Sequence, residues 1–285
     1  KILEIIKIYK KNSSPKLKVY KCDLRDAILL ENIFSEIYIE NKVIDGVIHF
    51  AGLKAVEESI KYPLNYWISN VLATINLLEI MKKFFCNTLV FSSSATIYDQ
   101  SKNSIVTENS PLNPINPYGK TKLTIESFLE DLYNSQKNNY KFASLRYFNP
   151  IGAHDSGLIG ENPIGKANNI FPLILNTAFG VQKEIKIYGN DWPTKDGTPI
   201  RDYIHVMDLA EAHINILERL ILGESRFLTV NIGTGKGTSV LELLKIFEKV
   251  NNVKIPYSFS KRRKGDKSYV VSDNKFLKKE LKFVP

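Results

Sequence analysis

The feature that most constrains this chain is an alternation of two periodicities. Short apolar runs, each about the length of a strand, are separated by segments whose apolar residues recur at helical spacing. Leu17–Cys22 is expected to be a strand. Asp26–Asn41 is expected to be a helix, with Leu30, Ile33, Phe34 and Ile37 on one face. Val47–Ala51 reads as a short buried strand ending at Gly52, and Pro63 opens a long helix running to about Phe85. Thr88–Ser92 is the next strand, Tyr118–Gln136 the next helix and Phe142–Tyr147 the strand after it. Strand, helix, strand, helix is the pattern of an α/β fold, a Rossmann-like doubly wound parallel sheet with helices on both faces. Such sheets bind ligands beyond the carboxyl ends of their strands. The residues to inspect are therefore Asp23 and Leu24, Gly52 to Lys54, Ser92 to Ser94, and Asn149 with Pro150.

Beyond Asn149 the texture changes. Residues 150–203 are rich in Gly, Pro and Asn, as expected of irregular loops that cover a ligand. His205–Leu222 is again an amphipathic helix and Phe227–Ile232 a strand. Ser239–Val250 reads as a helix after the glycine-rich Gly233–Gly237. The expected organisation is a first domain over 1–150 and a smaller C-terminal substrate-binding domain over 151–285, from which 204–235 packs back onto the first.

A chain of 285 residues that is 44% hydrophobic can bury such cores. Its apolar runs fall short of the roughly 18 residues that a bilayer crossing needs, so no membrane partner is expected. Cys22 and Cys86 cannot form a disulfide framework and fit a reducing, cytoplasmic setting. The four histidines are scattered and no Cys/His cluster has zinc spacing, so no metal is expected. A net charge of +9 raises nucleic acid as a partner. The lysines are spread along the whole chain, however, which points to solvated faces and against nucleic acid. The one dense basic run, Lys261-Arg262-Arg263-Lys264, suits a small phosphate-bearing ligand.

Tyr118-Gly-Lys-Thr-Lys122 stands at the start of a helix. A free phenol, with a pKa of about 10, is a poor base at neutral pH. An ammonium one turn away lies on the same face and favours the phenolate. Tyr118 and Lys122 are thus an acid/base pair or, more plainly, a helix surface pair. Ser92-Ser93-Ser94 ends the preceding strand, where a hydroxyl could share a substrate oxygen with Tyr118; a turn or a cap is the plainer use of such a triplet.

With these residues in view, the chain resembles the extended short-chain dehydrogenase/reductases, and within them the UDP-glucose 4-epimerases. The matching stretches are Phe50-Ala-Gly-Leu-Lys-Ala-Val56, Phe91-Ser-Ser-Ser-Ala-Thr-Ile-Tyr98, Pro117-Tyr-Gly-Lys-Thr-Lys122 and Leu145-Arg-Tyr-Phe-Asn-Pro-Ile-Gly152. They continue with Tyr188-Gly-Asn-Asp191, Asp196-Gly-Thr198, Arg201-Asp-Tyr-Ile-His-Val206 and Asn231-Ile-Gly-Thr-Gly235, in family order over nearly the whole chain. The resemblance implies NAD as cofactor and a hydride relay at C4 of a UDP-hexose through a 4-keto sugar. Tyr118 would move the proton, Ser94 would hold the sugar oxygen, and Lys122 would bond the nicotinamide ribose and keep the Tyr118 pKa low. It further implies cofactor contacts at Asp23, Leu24, Phe50, Ala51, Gly52, Leu53, Lys54, Asn70, Ser92 and Tyr147. For the UDP-sugar it implies Lys54, Asn149, Asn169, Ile170, Tyr188, Arg201, Arg263, Asp266 and Val270. Arginine suits a diphosphate because its planar fork makes paired, charged hydrogen bonds. A homodimer built on the helices near 63–85 and 119–136 is expected on the same ground.

Departures stand beside the resemblance at both ends of the chain. The family opens with a strand and a Gly-x-x-Gly-x-x-Gly turn whose amides hold the pyrophosphate. Here the first glycine is Gly46, and Lys1–Lys18 matches the region after the second strand. The expectation is a chain truncated at both ends, the first strands of the sheet missing; a degenerate, nucleotide-binding homologue is the alternative. Gly233–Gly237 matches a late family segment and is not a substitute cradle. A 4,6-dehydratase would carry Asp-Glu after the strand-end hydroxyl, where this chain has Ala95 and Thr96. In the family the fourth residue after Asp266 borders the C2 substituent of the sugar. That residue is Val270, which would admit N-acetyl sugars; a one-residue slip would put Tyr269 there.

Overall fold

The computed structural model describes residues 17–40, 42–99, 104–136, 139–163, 167–263 and 266–285. Asn41, Lys264 and residues 1–16 of the Lys1–Lys18 segment lie outside them. In chain order the strands are β1 (Val47–His49), β2 (Thr88–Ser94), β3 (Ser104–Val106), β4 (Lys141–Tyr147), β5 (Asn149–Ile151) and β6 (Ile185–Tyr188). They continue with β7 (Ile200–His205), β8 (Arg226–Ile232), β9 (Gly237–Ser239), β10 (Tyr257–Ser260) and β11 (Tyr269–Ser272). The α-helices are α1 (Ala27–Ile39), α2 (Val56–Lys61), α3 (Pro63–Tyr66), α4 (Ala73–Lys83), α5 (Pro117–Ser135), α6 (Ile170–Ala178), α7 (Val206–Leu222), α8 (Val240–Asn251) and α9 (Lys275–Leu281). Two compact units result. The first takes residues up to Asp99 together with Pro111–Tyr147 and Glu211–Val230; the second takes the stretch ending at Ser110, Phe148–Ala210 and Asn231–Pro285.

The first unit is built on a four-stranded sheet in the order β1-β2-β4-β8. β1 and β4 both run parallel to β2, with Leu89 opposite Phe142 and Ser93 opposite Arg146. Because strand side chains alternate, Leu89, Phe91 and Ser93 face one way while Val90 and Ser92 face the other. The first face packs with Leu30, Phe34, Leu77, Met81, Ile125 and Leu129 of α1, α4 and α5 into one buried core. On the second face Ser92 meets His213 of α7. Helices therefore cover both faces, as the alternating pattern requires. Asp26 caps α1 by accepting from the Leu29 amide at 3.0 Å. Asn116 caps α5 by accepting from Gly119 at 2.8 Å, with Pro117 preset for the first helical position.

The second unit pairs β3, β11, β7 and β5 in that order, with β9 antiparallel on β7, and separately joins β10 to β6. Its core gathers Ile174, Ile185, Ile187, Leu241 and Leu244. The expected irregular cover over 150–203 is therefore corrected: it contains β6, α6 and most of β7, whose buried residues a Gly-, Pro- and Asn-rich texture conceals.

Three further expectations are corrected. Leu17–Cys22 is irregular, because a strand needs a ladder partner and the described sheet ends at β1. β2 continues two residues past Ser92, so Ser93 and Ser94 belong to the ladder opposite Arg146 and Tyr147. The long helix opened by Pro63 is interrupted by a π-helical stretch, Trp67–Leu72, between α3 and α4. Among the described residues no helix is long and apolar enough to cross a membrane.

Candidate active site

In the first unit, the ends of β1 and β2 and the first turns of α5 gather the residues with chemistry. Tyr118 and Lys122 sit one turn apart on α5 and are both buried. The Lys122 ammonium donates to the Ser92 carbonyl at 2.7 Å and lies 4.7 Å from the Phe91 ring centre and 5.9 Å from that of Tyr118. This cation is held against the strand end, so the surface-pair reading of Tyr118 and Lys122 does not survive. Burial pulls the Lys122 pKa down to about 8, and Glu126 acts against that fall.

The resemblance gives Lys122 the task of keeping the phenol acidic, and burial works against it. Burial pushes the Tyr118 hydroxyl well above its ordinary value, nearby Tyr147 adds to the rise, and a hydrogen bond with Ser94 offsets part of it. The reason is geometric: the ammonium points at the Ser92 carbonyl. Desolvation therefore outweighs charge on the phenol. The Ser94 hydroxyl also accepts from the Thr96 amide at 3.2 Å and the Thr96 hydroxyl at 3.0 Å.

Ser92 and Asn70, expected as cofactor contacts, have internal partners. Ser92 Oγ bonds His213 Nε2 at 3.2 Å, and its bond to Tyr147 partly offsets the rise that burial gives that phenol. The buried Asn70 amide accepts from Leu53 N at 2.7 Å and donates to Leu53 O at 3.0 Å and Thr121 Oγ1 at 3.1 Å. It clamps the segment that follows β1. Gly52 in that segment has φ +150°, and a Cβ there would lie 3.0 Å from Asn70 Oδ1, so the clamp needs a glycine.

The clamped segment forms one wall of a cleft of about 550 Å³ lined by Lys21, Cys22, Asp23, Leu24, Arg25, Ala51, Gly52, Leu53, Ser69 and Ala73. Five expected cofactor residues thus meet in one place. Asp23 is gripped by Arg25, whose Nη2 lies 2.6 Å from Oδ2, and that guanidinium holds the carboxyl down at about 2. Asn76 donates to Leu24 O at 3.1 Å and fixes the opposite wall. A cleft with an ionised acceptor, two cations and a backbone free of a Cβ at Gly52 suits an adenine nucleotide. Lys21, Cys22, Arg25, Ser69 and Ala73 were not legible as lining. Phe50 is exposed beside the His213 ring, 4.6 Å between centres, and Lys54 is exposed on the same segment.

In the second unit, the Arg263 guanidinium lies 3.9 Å over the Tyr188 ring. Arg201 donates to Lys267 O at 2.9 Å and stands 4.0 Å from Asp266. Val270 is the ladder partner of Arg201 and shares its face; Tyr269 pairs with Ile200 on the other face, its ring toward Gly237. Asn149, on the neighbouring strand β5, is opposite Tyr203 of β7. Asn169 is exposed ahead of α6 and donates to Glu161 at 3.0 Å, and Ile170 is the half-buried first residue of that helix. The Gly233–Gly237 loop is closed as a phosphate cradle, since the Thr234 and Gly235 amides donate to the buried Asp202 carboxylate at 2.9 and 3.0 Å.

The chain matches the NAD dependent epimerase/dehydratase family over residues 3–233. It is 47% identical over 265 residues to the UDP-glucose 4-epimerase of Bacillus subtilis (strain 168), covering 93% of this chain and 76% of that one. Its fold is similar to a UDP-glucose 4-epimerase from Stenotrophomonas maltophila solved with NAD and formylated UDP-arabinopyranose. That match has a TM-score of 0.88 and 42% identity, covering 93% of this chain and 77% of that chain. It is also similar to the Bifidobacterium longum enzyme solved with NAD+ and UDP, at a TM-score of 0.87 and 42% identity, over 95% of this chain and 78% of that one.

Proposed function

Because this chain belongs to the NAD dependent epimerase/dehydratase family, we infer that it interconverts UDP-glucose and UDP-galactose by NAD-dependent epimerisation at C4. The observation that carries the reading is the buried Tyr118–Lys122 pair beside the strand-end Ser94. Ala95 and Thr96, the latter already bonded to Ser94, offer no carboxylates for a dehydratase.

When bound, NAD would supply the hydride acceptor and donor for C4. Asp23, Leu24, Ala51, Gly52 and Leu53 would hold it along the cleft, with Asn70 bracing the segment and Lys54 reaching a ribose or phosphate. Ser94 fixes the sugar oxygen. Tyr118 takes the proton from O4 as the hydride leaves and gives it back after the 4-keto sugar has turned its other face. Tyr118 is needed as phenolate, so the charge of Lys122 has to offset the desolvation that opposes ionisation. Tyr188 stacks the base, while Arg201 and Arg263 neutralise the diphosphate with Asp266 orienting Arg201. Val270, on the face of Arg201, borders C2 and leaves room for an N-acetyl group. Asn149, Asn169 and Ile170 complete the sugar-nucleotide contacts.

The protein works in the cytoplasm as a homodimer through α4 and α5. The support for that interface is an apolar groove of about 340 Å³ between them, lined by Ile75, Leu78, Met81, Phe128 and Leu132. The test of the main reading is direct. The protein is supplied with NAD and UDP-galactose, and UDP-glucose is expected as the product. No conversion by parent protein that retains NAD would end the reading.

A further inference from the structure

Glu126 takes no part in the chemistry above, yet it is the buried carboxylate of the first unit among the described residues. It lies one turn beyond Lys122 on α5, so the two side chains share a face. Arg146 of β4 meets it with Nε 3.1 Å from both carboxylate oxygens and Nη2 2.6 Å from Oε2. The Ser93 hydroxyl donates to Oε1. Ser93 and Arg146 are register partners, so both project toward α5. Arg146 in turn donates to the Tyr98 hydroxyl at 3.0 Å. A buried ion pair is poor support for stability, because taking two charges out of water is expensive and a packed apolar pair often does as well. Its place beside Lys122 gives it another use.

The proposed reaction needs the dyad one proton short, with the remaining proton on Lys122. The other tautomer, neutral Tyr118 with neutral Lys122, has no phenolate to take the O4 proton. The groups facing Lys122 are Tyr118 and Glu126 on α5, the Ser92 carbonyl and the Phe91 ring on β2, and His49 on β1. Burial lowers the His49 pKa to about 4, and its Nε2 donates to Thr74 Oγ1 at 2.8 Å, whose own proton goes to Asn70 O. Tyr147 of β4 faces Tyr118. Glu126 is the anion of this set. We propose that Glu126 is a positioning residue that keeps the dyad's proton on Lys122. Its carboxylate, clamped by Arg146 and Ser93, opposes loss of the ammonium's proton and so weights the dyad toward the phenolate. Burial acting alone on Lys122 would favour the wrong tautomer, since it lowers that pKa while raising the one for Tyr118.

The inference rests on the epimerase reading, and its test separates the two. Lys122 is titrated by lysine side-chain nitrogen NMR, the signal assigned by its loss in Lys122→Met, and kcat/KM for UDP-galactose is followed against pH. Three variants are compared with the parent: Glu126→Asp, Glu126→Gln and the double variant E126L/R146L. The charge-keeping Asp variant should leave both curves in place. In Glu126→Gln, which removes the carboxylate and leaves the Arg146 cation, Lys122 should lose its proton about one pH unit lower, and the alkaline limb of kcat/KM should move with it; in the double variant, which removes both charges, the shift should be smaller. The double variant should recover most of the melting temperature that the Gln variant loses, because no charge is left unpaired. A Lys122 titration that is unshifted in Glu126→Gln, or shifted as far in Glu126→Asp, overturns the proposal. A parent without UDP-galactose turnover but with the Lys122 shift removes the epimerase reading and keeps the electrostatic role; turnover with no shift does the reverse.

Discussion

Replacing Asn70 with alanine tests how the cofactor cleft is held. The side chain makes three hydrogen bonds from a buried site, two to the Leu53 backbone at 2.7 and 3.0 Å and one to Thr121 at 3.1 Å. At about 1 kcal/mol net for each, the ceiling is near 3 kcal/mol. Two features lower it. Leu53 is 36% exposed, so water reaches part of its backbone, and Thr121 keeps its bond to Tyr118 O at 2.7 Å. A loss of about 2 kcal/mol is expected, which in a chain of this size lowers Tm by about 4–8 °C. The freed segment is a wall of the cleft, so bound nucleotide has to reorder it. If about 1.4 kcal/mol goes into that reordering, NAD affinity falls about tenfold. Asn70→Asp should do worse, since it loses both donors and adds a carboxylate beside the dinucleotide. Thermal unfolding by circular dichroism and NAD titration by calorimetry measure the two effects. If Asn70→Ala leaves Tm within about 1 °C and the NAD Kd unchanged, the clamp is not what holds the wall.

Tyr118→Phe should leave folding and nucleotide binding nearly intact and lower kcat by about 10²–10⁴-fold, measured by conversion of UDP-galactose. Val270→Tyr should suppress turnover of UDP-GalNAc by steric exclusion and largely spare UDP-galactose; equal losses on both would remove Val270 from the C2 position. His49 carries a pH dependence of stability. Burial lowers its pKa from 6.5 to about 4, so the neutral ring is required in the fold. That contribution is whole above pH 6.5 and is lost as pH falls toward 4, costing up to about 3 kcal/mol. Denaturant unfolding across this range should show the slope, and His49→Gln should flatten it.

The sheet was legible because strands buried on both faces appear as near-continuous apolar runs, as Thr88–Phe91 and Phe142–Leu145 do. The π-helical turn at Trp67–Leu72 was not, because shifting hydrogen bonds by one residue hardly alters the apolar pattern. That hidden turn carries Asn70, which the family resemblance made a cofactor contact and whose amide grips Leu53. Leu17–Cys22 has strand composition, but composition cannot supply a neighbouring strand. Tyr118 and Lys122 were legible as a pair from their spacing alone. The direction of the phenol's pKa was not, since it depends on burial and on where the ammonium points. Glu126 lies at ordinary helix-pair spacing from Lys122, and only the strand register that brings Ser93 and Arg146 to it reveals more.

The central claim is a hydride relay that starts and ends at C4 of one sugar, and a label at that carbon tests it most directly. UDP-galactose deuterated at C4 is incubated with the NAD-loaded protein, and the UDP-glucose formed is read by mass spectrometry and proton NMR. The account predicts full retention of deuterium at C4, because the hydride returns to the carbon it left while only the O4 proton passes through Tyr118. Product carrying solvent hydrogen at C4, or UDP-glucose formed at undiminished rate by Tyr118→Phe, would contradict it.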